Sequence, residues 1–110
     1  MRMWMLPPSI MCRKHLLGEH VEMHMLVGTL LKGISVQGYI DNQLVELEHI
    51  RARHDELVEE MIKRGYNHKS PLPDYPEVCG GVVDREENLR DLANRCVDCR
   101  ARIEDTGMIL

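Results

Sequence analysis

The side chains of this sequence best suited to acid–base chemistry are concentrated in one run, HLLGEHVEMH, from His15 to His24. On an α-helix, residues three, four and seven apart share a face, so this spacing places His15, Glu19 and Glu22 on one side. Helical side chains lean toward the N-terminus, so the Glu22 carboxylate lies over Gly18, where a missing side chain leaves room for another group to approach. Such a carboxylate can stabilise a cation or move a proton. The alternative is that these charges form only the solvated face of an amphipathic helix.

The first seven residues are the candidate for the group that approaches Glu22. Residues 1–7 include Met3, Trp4 and Leu6, although free N-termini are usually polar and frayed. We therefore expect an extended N-terminal arm that is held inside the fold. Trp4 has two interpretations: a wedge inserted into a kinked DNA base step, or a buried side chain of the arm.

The remaining pattern predicts helices and no strands. Helix starts are indicated by Pro8, Asp41 and Asp84, and helix ends by Gly33 and Gly65. The predicted fold class is all-α, with three helices packed around the arm in a single compact domain. The predicted segments of this 1–110 domain are the arm at 1–7, helices at 8–32, 42–64 and 84–104, and a Pro/Gly-rich connection at 70–83.

The charge and the apolar content of the sequence limit the classes of partner that the protein can bind. The net charge is −4, and residues 73–110, with five Lys/Arg against nine Asp/Glu, account for the excess. This balance argues mildly against nucleic acid, but a local basic face is compatible with it. No stretch is long enough to span a membrane, and the opening MRMWML is a poor signal peptide. We expect a cytoplasmic protein without membrane contact.

The cysteines raise the question of a structural zinc ion. Cys96 and Cys99 form a C-x2-C pair, and Cys79 lies upstream. Zinc needs four ligands, and Cys12 or a histidine could complete the set only by folding back onto this pair. The pattern favours small, reduced, buried thiols over zinc, with no metal and no cofactor. A small zinc-stabilised interaction domain remains an alternative.

A second metal pattern is weaker. His20 and His24 stand four residues apart, a spacing that holds a metal when two histidines lie on one helix face. No carboxylate pattern completes the motif, so the pair by itself does not predict a site.

The run HLLGEHVEMH, the start Met-Arg and the later EEMIKRGYNHK together resemble the phage pyrimidine-dimer DNA glycosylase family of the endonuclease V type, over roughly residues 1–70. The resemblance implies a small helical DNA glycosylase with abasic-site lyase activity. Its substrate would be double-stranded DNA with a damaged or modified base. The protein would be a monomer or weak dimer, located in the host cytoplasm if phage-encoded.

The resemblance also assigns roles to residues. The N-terminal α-amine attacks C1′ of the damaged nucleotide, expels the base and forms a Schiff base; α-amines ionise near pH 8, so about a tenth is neutral at pH 7. Arg2 is too large for ordinary removal of the initiator methionine, so Met1 would supply this amine. Glu22 aligns with the catalytic carboxylate, and Arg2 with an arginine that holds a flanking phosphate. His15 aligns with a histidine directed toward the abasic-site pocket, or it forms only a hydrogen bond near the arm.

Two departures from the family concern DNA contact. Val21 and Met25 stand where the family has arginines that grip DNA and the flipped base, and the aromatic, basic C-terminal tail is absent. These losses argue against pyrimidine-dimer specificity more than against lyase chemistry, and they leave a non-catalytic DNA- or protein-binding module as an alternative. Backbone contacts could come from cations that are otherwise plain surface charges: Arg13, Lys14, Lys32, Arg51, Arg53, Lys63, Arg64 and Lys69.

Overall fold

The computed structural model describes residues 1–108, which form five α-helices and contain no strand, so the predicted all-α class is confirmed over this range. The elements, in chain order, are a 3-10 turn Pro8–Ile10, α1 Arg13–Leu31, α2 Gln37–Asp41, a second 3-10 turn Leu47–His49, α3 Ile50–Lys63, α4 Arg85–Arg95 and α5 Val97–Asp105. No helix within the described range has the length and apolar character needed to cross a membrane.

Helices α1 and α3 form the central pair of the fold. Leu16, Met23 and Leu26 of α1 and Ile50 and Leu57 of α3 are fully buried. Burying one such side chain contributes about 1.5–3 kcal/mol, so this seam is a principal source of stability. Helix α4 packs on α5, and α5 packs on the first 3-10 turn, which connects the C-terminal third to the start of α1.

The first two long helices begin later than their sequence signals suggest. The Pro8 region forms only a 3-10 turn, and α1 begins after Cys12, whose backbone is extended. The segment that precedes α3 is used for tertiary hydrogen bonds: the Leu44 carbonyl accepts from Met3 N–H at 2.7 Å, and Leu47 N–H donates to the Gly80 carbonyl at 3.0 Å. These long-range bonds outweigh local helix propensity, and α3 therefore starts at Ile50.

The third predicted helix, at 84–104, is two helices in the structure. Cys96 has an extended backbone, with φ −134° and ψ 114°, and is both the C-cap of α4 and the N-cap of α5. No glycine or proline stands at the break. The Cys96 Sγ accepts a hydrogen bond from Cys99 N–H at 3.5 Å, so the interruption is stabilised by the cysteine pair itself.

The N-terminal arm is buried. Met3, Trp4 and Leu6 are each 5 % exposed or less, so Trp4 has no free ring to insert between bases. The arm carbonyls are bound from two sides: Asn88 Nδ2 donates to the Trp4 carbonyl at 3.0 Å, and Arg53 Nη1 donates to the Leu6 carbonyl at 2.6 Å. These contacts hold the start of the chain in one place.

Candidate active site

Glu22 lies in the middle of α1 and meets the start of the chain. Its Oε2 accepts a hydrogen bond from the backbone N–H of Arg2 at 3.2 Å. Burial raises the pKa of Glu22 above that of an ordinary carboxyl group, and the Arg2 N–H and the positive amine of Met1 act in the opposite direction. The site therefore contains an α-amine and a half-buried carboxylate held close together.

The Arg2 side chain turns away from Glu22 and holds the arm on α4. Its Nη2 donates to Asn88 Oδ1 at 2.6 Å, its Nη1 lies 2.8 Å from Asp91 Oδ2, and its guanidinium stacks 3.8 Å from the centre of the Trp4 ring. Only 20 % of the side chain is exposed. Arg2 would have to leave α4 before it could hold a phosphate bidentately.

Asn88 is a site-forming residue that the sequence reasoning missed. Its side chain is buried, accepts from Arg2 and donates to the carbonyls of Met3 and Trp4. Buried amides need such partners, and here the partners are the arm itself. The available signal was a polar residue four positions before Leu92, on the apolar face of a helix.

His15 contacts two cysteines and the ring of Trp4. Its Nδ1 is 3.3 Å from Cys12 Sγ and 3.6 Å from Cys99 Sγ, and its ring meets the edge of Trp4 at 6.0 Å between centroids. These contacts agree with the interpretation of His15 as a histidine bonded near the arm, and its direction toward an abasic-site pocket stays a prediction.

Arg53 is not a surface cation, so its inclusion among candidate DNA contacts was wrong. It is 1 % exposed, and its Nε and Nη2 bind the two Glu19 carboxylate oxygens at 2.6 and 2.8 Å. The pair is buried between α1 and α3 and leaves Glu19 no part in surface chemistry. Arg53 lies on the same helix face as Ile50 and Leu57, which was a signal for burial.

The other candidate DNA contacts divide into two groups. Arg64 is 11 % exposed at its side chain and binds Glu60 at 2.8 Å and the carbonyls of Pro8 and Met11 at 3.1 and 2.7 Å. Its contacts hold the first 3-10 turn in place, so we assign it a structural role. The surface cations, by contrast, have exposed side chains: Arg13, Lys14, Lys32, Arg51, Lys63 and Lys69.

The surface near Gly18 is open. A Cβ built at Gly18 would meet nothing within 4 Å, so no part of the described chain makes the close approach that we inferred for this glycine. Val21 and Met25 are 53 % and 52 % exposed on the same helix. The positions where the resembling family carries arginines therefore present apolar side chains to solvent.

A cleft of about 510 Å³ lies next to Arg2 but does not include Glu22 among its lining residues. Its lining carries the carboxylates of Asp84, Glu87 and Asp91 against the guanidinium groups of Arg2 and Arg90, so negative charge is in excess. These carboxylates repel phosphate, and we therefore do not place the DNA backbone in this cleft.

Two clusters of metal-ligating side chains lie outside this site, and each brings four donor atoms within 4.8 Å of one another. One contains cysteines and a histidine: Cys12, His15, Cys96 and Cys99. The other contains histidines alone: His20, His24, His54 and His68. Burial and the other three histidines lower the pKa of His20 to about 4, so this imidazole is neutral at pH 7.

The family profile described as pyrimidine dimer DNA glycosylase matches residues 1–74, about two thirds of the chain. The chain belongs to this family. The resemblance found in the sequence is thereby confirmed, and the assignment indicates a DNA glycosylase whose substrate is DNA. No curated protein and no solved structure matches the chain significantly.

The pyrimidine dimer DNA glycosylase match contains the arm and Glu22 but ends before α4 and α5. Two of the side chains that hold Arg2, Asn88 and Asp91, therefore belong to the part of this family member that the profile does not cover. The C-terminal third thus holds the start of the chain in place, whereas both groups of the candidate site, the Met1 amine and the Glu22 carboxylate, lie in the matched region.

Proposed function

We propose that this protein is a DNA N-glycosylase with abasic-site lyase activity on damaged or modified double-stranded DNA. The nucleophile is the α-amine of Met1, and Glu22 assists it. The observation that carries the proposal is the 3.2 Å hydrogen bond from Arg2 N–H to Glu22 Oε2. One residue spans about 3.8 Å of chain, so this bond keeps the Met1 amine in the neighbourhood of the carboxylate.

The chemistry uses both groups. The neutral amine donates its lone pair to C1′ of the sugar, the C1′–N bond breaks, and the base leaves with the bonding pair and takes up a proton. One amine proton is lost, the nitrogen lone pair forms a C1′=N bond as the C1′–O4′ bond breaks, and O4′ takes up a proton. The product is a positively charged, protonated Schiff base between Met1 and C1′. The Glu22 carboxylate stabilises the positive charge and then removes a C2′ proton, which breaks the C3′–O bond and releases the phosphate. Hydrolysis by water frees the amine.

The exposed residues of α1 and α3 bear on DNA binding and on lesion specificity. Arg13, Lys14 and Lys63 are exposed and can contact phosphates, which supply most of the non-specific affinity. The exposed Val21 and Met25 cannot donate hydrogen bonds to a flipped base from their side chains. We therefore expect the preferred lesion to differ from a pyrimidine dimer.

The test is borohydride trapping with untagged protein whose intact mass shows Met1 at its start. Incubation with a duplex that contains an abasic site is expected to give a covalent protein–DNA adduct on a denaturing gel. A panel of lesion-bearing duplexes then identifies the base that is removed. Glu22→Gln is expected to lower turnover by about 10²–10⁴-fold while DNA binding is retained.

Two controls separate chemistry from folding. Glu59→Gln makes the same change at an exposed position of α3 and is expected to leave the rate unchanged. One extra residue before Met1 displaces the amine and is expected to abolish the adduct without preventing folding. If the untagged protein forms no adduct with abasic DNA, the proposed lyase activity is refuted.

The second candidate is a binding module that retains the family fold without catalysis. It is favoured by the commitment of the Arg2 guanidinium to Asn88 and Asp91, which removes a phosphate ligand. This candidate predicts DNA or protein binding that is unchanged by Glu22→Gln and by blocking of the amine.

A further inference from the structure

Two short motifs occupy equivalent positions at the starts of two helices. Cys12 is the N-cap of α1 and His15 is its third residue, while Cys96 is the N-cap of α5 and Cys99 is its third residue. The two pairs are more than 80 residues apart in sequence. The packing of α5 on the first 3-10 turn brings them together.

The distances between the donor atoms fit a tetrahedral zinc site. Cys12 Sγ lies 3.8 Å from Cys96 Sγ, and His15 Nδ1 lies 3.3 Å from Cys12 Sγ and 3.6 Å from Cys99 Sγ. A tetrahedral ion with Zn–S bonds of about 2.3 Å and Zn–N bonds of about 2.0–2.1 Å requires edges of about 3.8 Å and about 3.5 Å. The Cys12–Cys96 separation is far longer than a disulfide bond, which is about 2.05 Å.

Backbone N–H groups donate to two of the sulfur atoms. Cys12 N–H donates to Cys99 Sγ at 3.2 Å, and Cys99 N–H donates to Cys96 Sγ at 3.5 Å. Hydrogen bonds of this kind orient and stabilise metal ligands. The site also explains the break between α4 and α5, because the extended backbone at Cys96 directs its thiol toward the other three donors.

We propose that Cys12, His15, Cys96 and Cys99 bind one structural zinc ion. Four protein ligands leave no open position for water or substrate, so the ion stabilises the fold and does no chemistry. It joins α5 to the start of α1 and thereby supports the arm that carries Met1. This conclusion reverses the sequence-based preference for free thiols, and it does not depend on the proposed glycosylase reaction.

The test is the zinc content of the full chain purified under reducing conditions. We expect one thiol-dependent equivalent, lost in Cys96→Ser/Cys99→Ser and retained in Cys79→Ser, a change at an exposed cysteine outside the cluster. Because the double variant can fail to fold, a second measurement uses the wild-type chain. Cobalt(II) added to metal-free protein is expected to give sulfur-to-cobalt charge-transfer absorption, and zinc is expected to abolish this absorption.

Two results would overturn the proposed zinc site. Wild-type protein that binds no zinc in a thiol-dependent way and gives no charge-transfer absorption with cobalt(II) overturns the proposal. A Cys12–Cys96 disulfide found by peptide mass mapping of protein kept under reducing conditions does so as well.

The histidine cluster is a second candidate metal site, and the evidence for it is independent of the zinc proposal. His20 and His24 of α1, His54 of α3 and His68 present four imidazoles with neighbouring ring centroids 4.9–5.4 Å apart. His20 Nε2 and His68 Nε2 are 3.0 Å apart. The Nε2 of His24 is buried and makes no hydrogen bond of good geometry among residues 1–108, although buried polar atoms normally have one and the Ser70 backbone acts on this imidazole.

We infer that these four histidines bind a divalent transition-metal ion, since imidazole nitrogen suits zinc, copper and nickel. Zinc titrated calorimetrically into metal-free wild-type protein is expected to reveal a second equivalent that survives in Cys96→Ser/Cys99→Ser. His24→Ala/His68→Ala is expected to remove that equivalent alone, and His49→Ala, outside the cluster, to leave it unchanged. A wild-type stoichiometry of one, lost entirely in the thiol variant, contradicts this site.

Discussion

Replacement of Arg53 by methionine removes the cation from a buried ion pair. Arg53 and Glu19 are each 1 % exposed, and two hydrogen bonds of 2.6 and 2.8 Å join them. Loss of one partner leaves the other charge buried without compensation, which costs about 3–5 kcal/mol. A domain of this size has about 5–15 kcal/mol in total, so the variant is expected to fold but to be strongly destabilised.

The loss in the free energy of unfolding can be measured by thermal and urea unfolding followed by circular dichroism. At about 4 °C per kcal/mol, the midpoint of Arg53→Met falls by roughly 12–20 °C, and Glu19→Leu behaves similarly. In the double variant Arg53→Met/Glu19→Leu no buried charge remains, and the Leu6 carbonyl loses its donor, which costs about 1–3 kcal/mol. The double variant is therefore expected to be more stable than either single variant. The coupling energy is then at least about 3 kcal/mol.

Two results would refute this reasoning. One is a cost below about 1 kcal/mol for Arg53→Met, which is the range of an exposed pair. The other is additivity of the two single variants, because independent effects mean that the two charges do not compensate each other.

Two further predictions concern helix propensity and pH. Gly18→Ala is expected to raise the free energy of unfolding by about 0.5–1 kcal/mol, since the added methyl group meets open space; a lower urea midpoint contradicts this. Burial raises the pKa of Glu46, but the Val83 N–H, His49 and Arg85 outweigh it and hold that pKa below the ordinary value. Glu46 therefore contributes stability that is complete above its unfolded pKa and is lost as the pH falls through its folded pKa. Between about pH 6 and about pH 3 the wild type is expected to lose more stability than Glu46→Gln, and parallel urea-midpoint curves contradict this.

Part of the candidate site could be predicted from the sequence because its signals are local. The run from His15 to His24 places Glu22 on a helix, and the apolar arm at 1–7 indicates a chain start packed in the interior. The family resemblance then joined Met1 to Glu22. The partners of Arg2 could not be predicted in this way, since Asn88 and Asp91 reach it across more than 80 residues of sequence.

What the sequence determined by itself is the helical fold class, the family and the end of α3 shortly before Gly65, because periodicity, caps and short motifs depend on residues a turn or two apart. Only the tertiary structure decided the burial of Arg53, the break at Cys96 and the meeting of two pairs of metal ligands from opposite ends of the chain. Each of these depends on which surfaces α1, α3 and α5 bury against one another. Local spacing carries no information about such long-range packing, and the packing alone converts separate cysteines and histidines into sites.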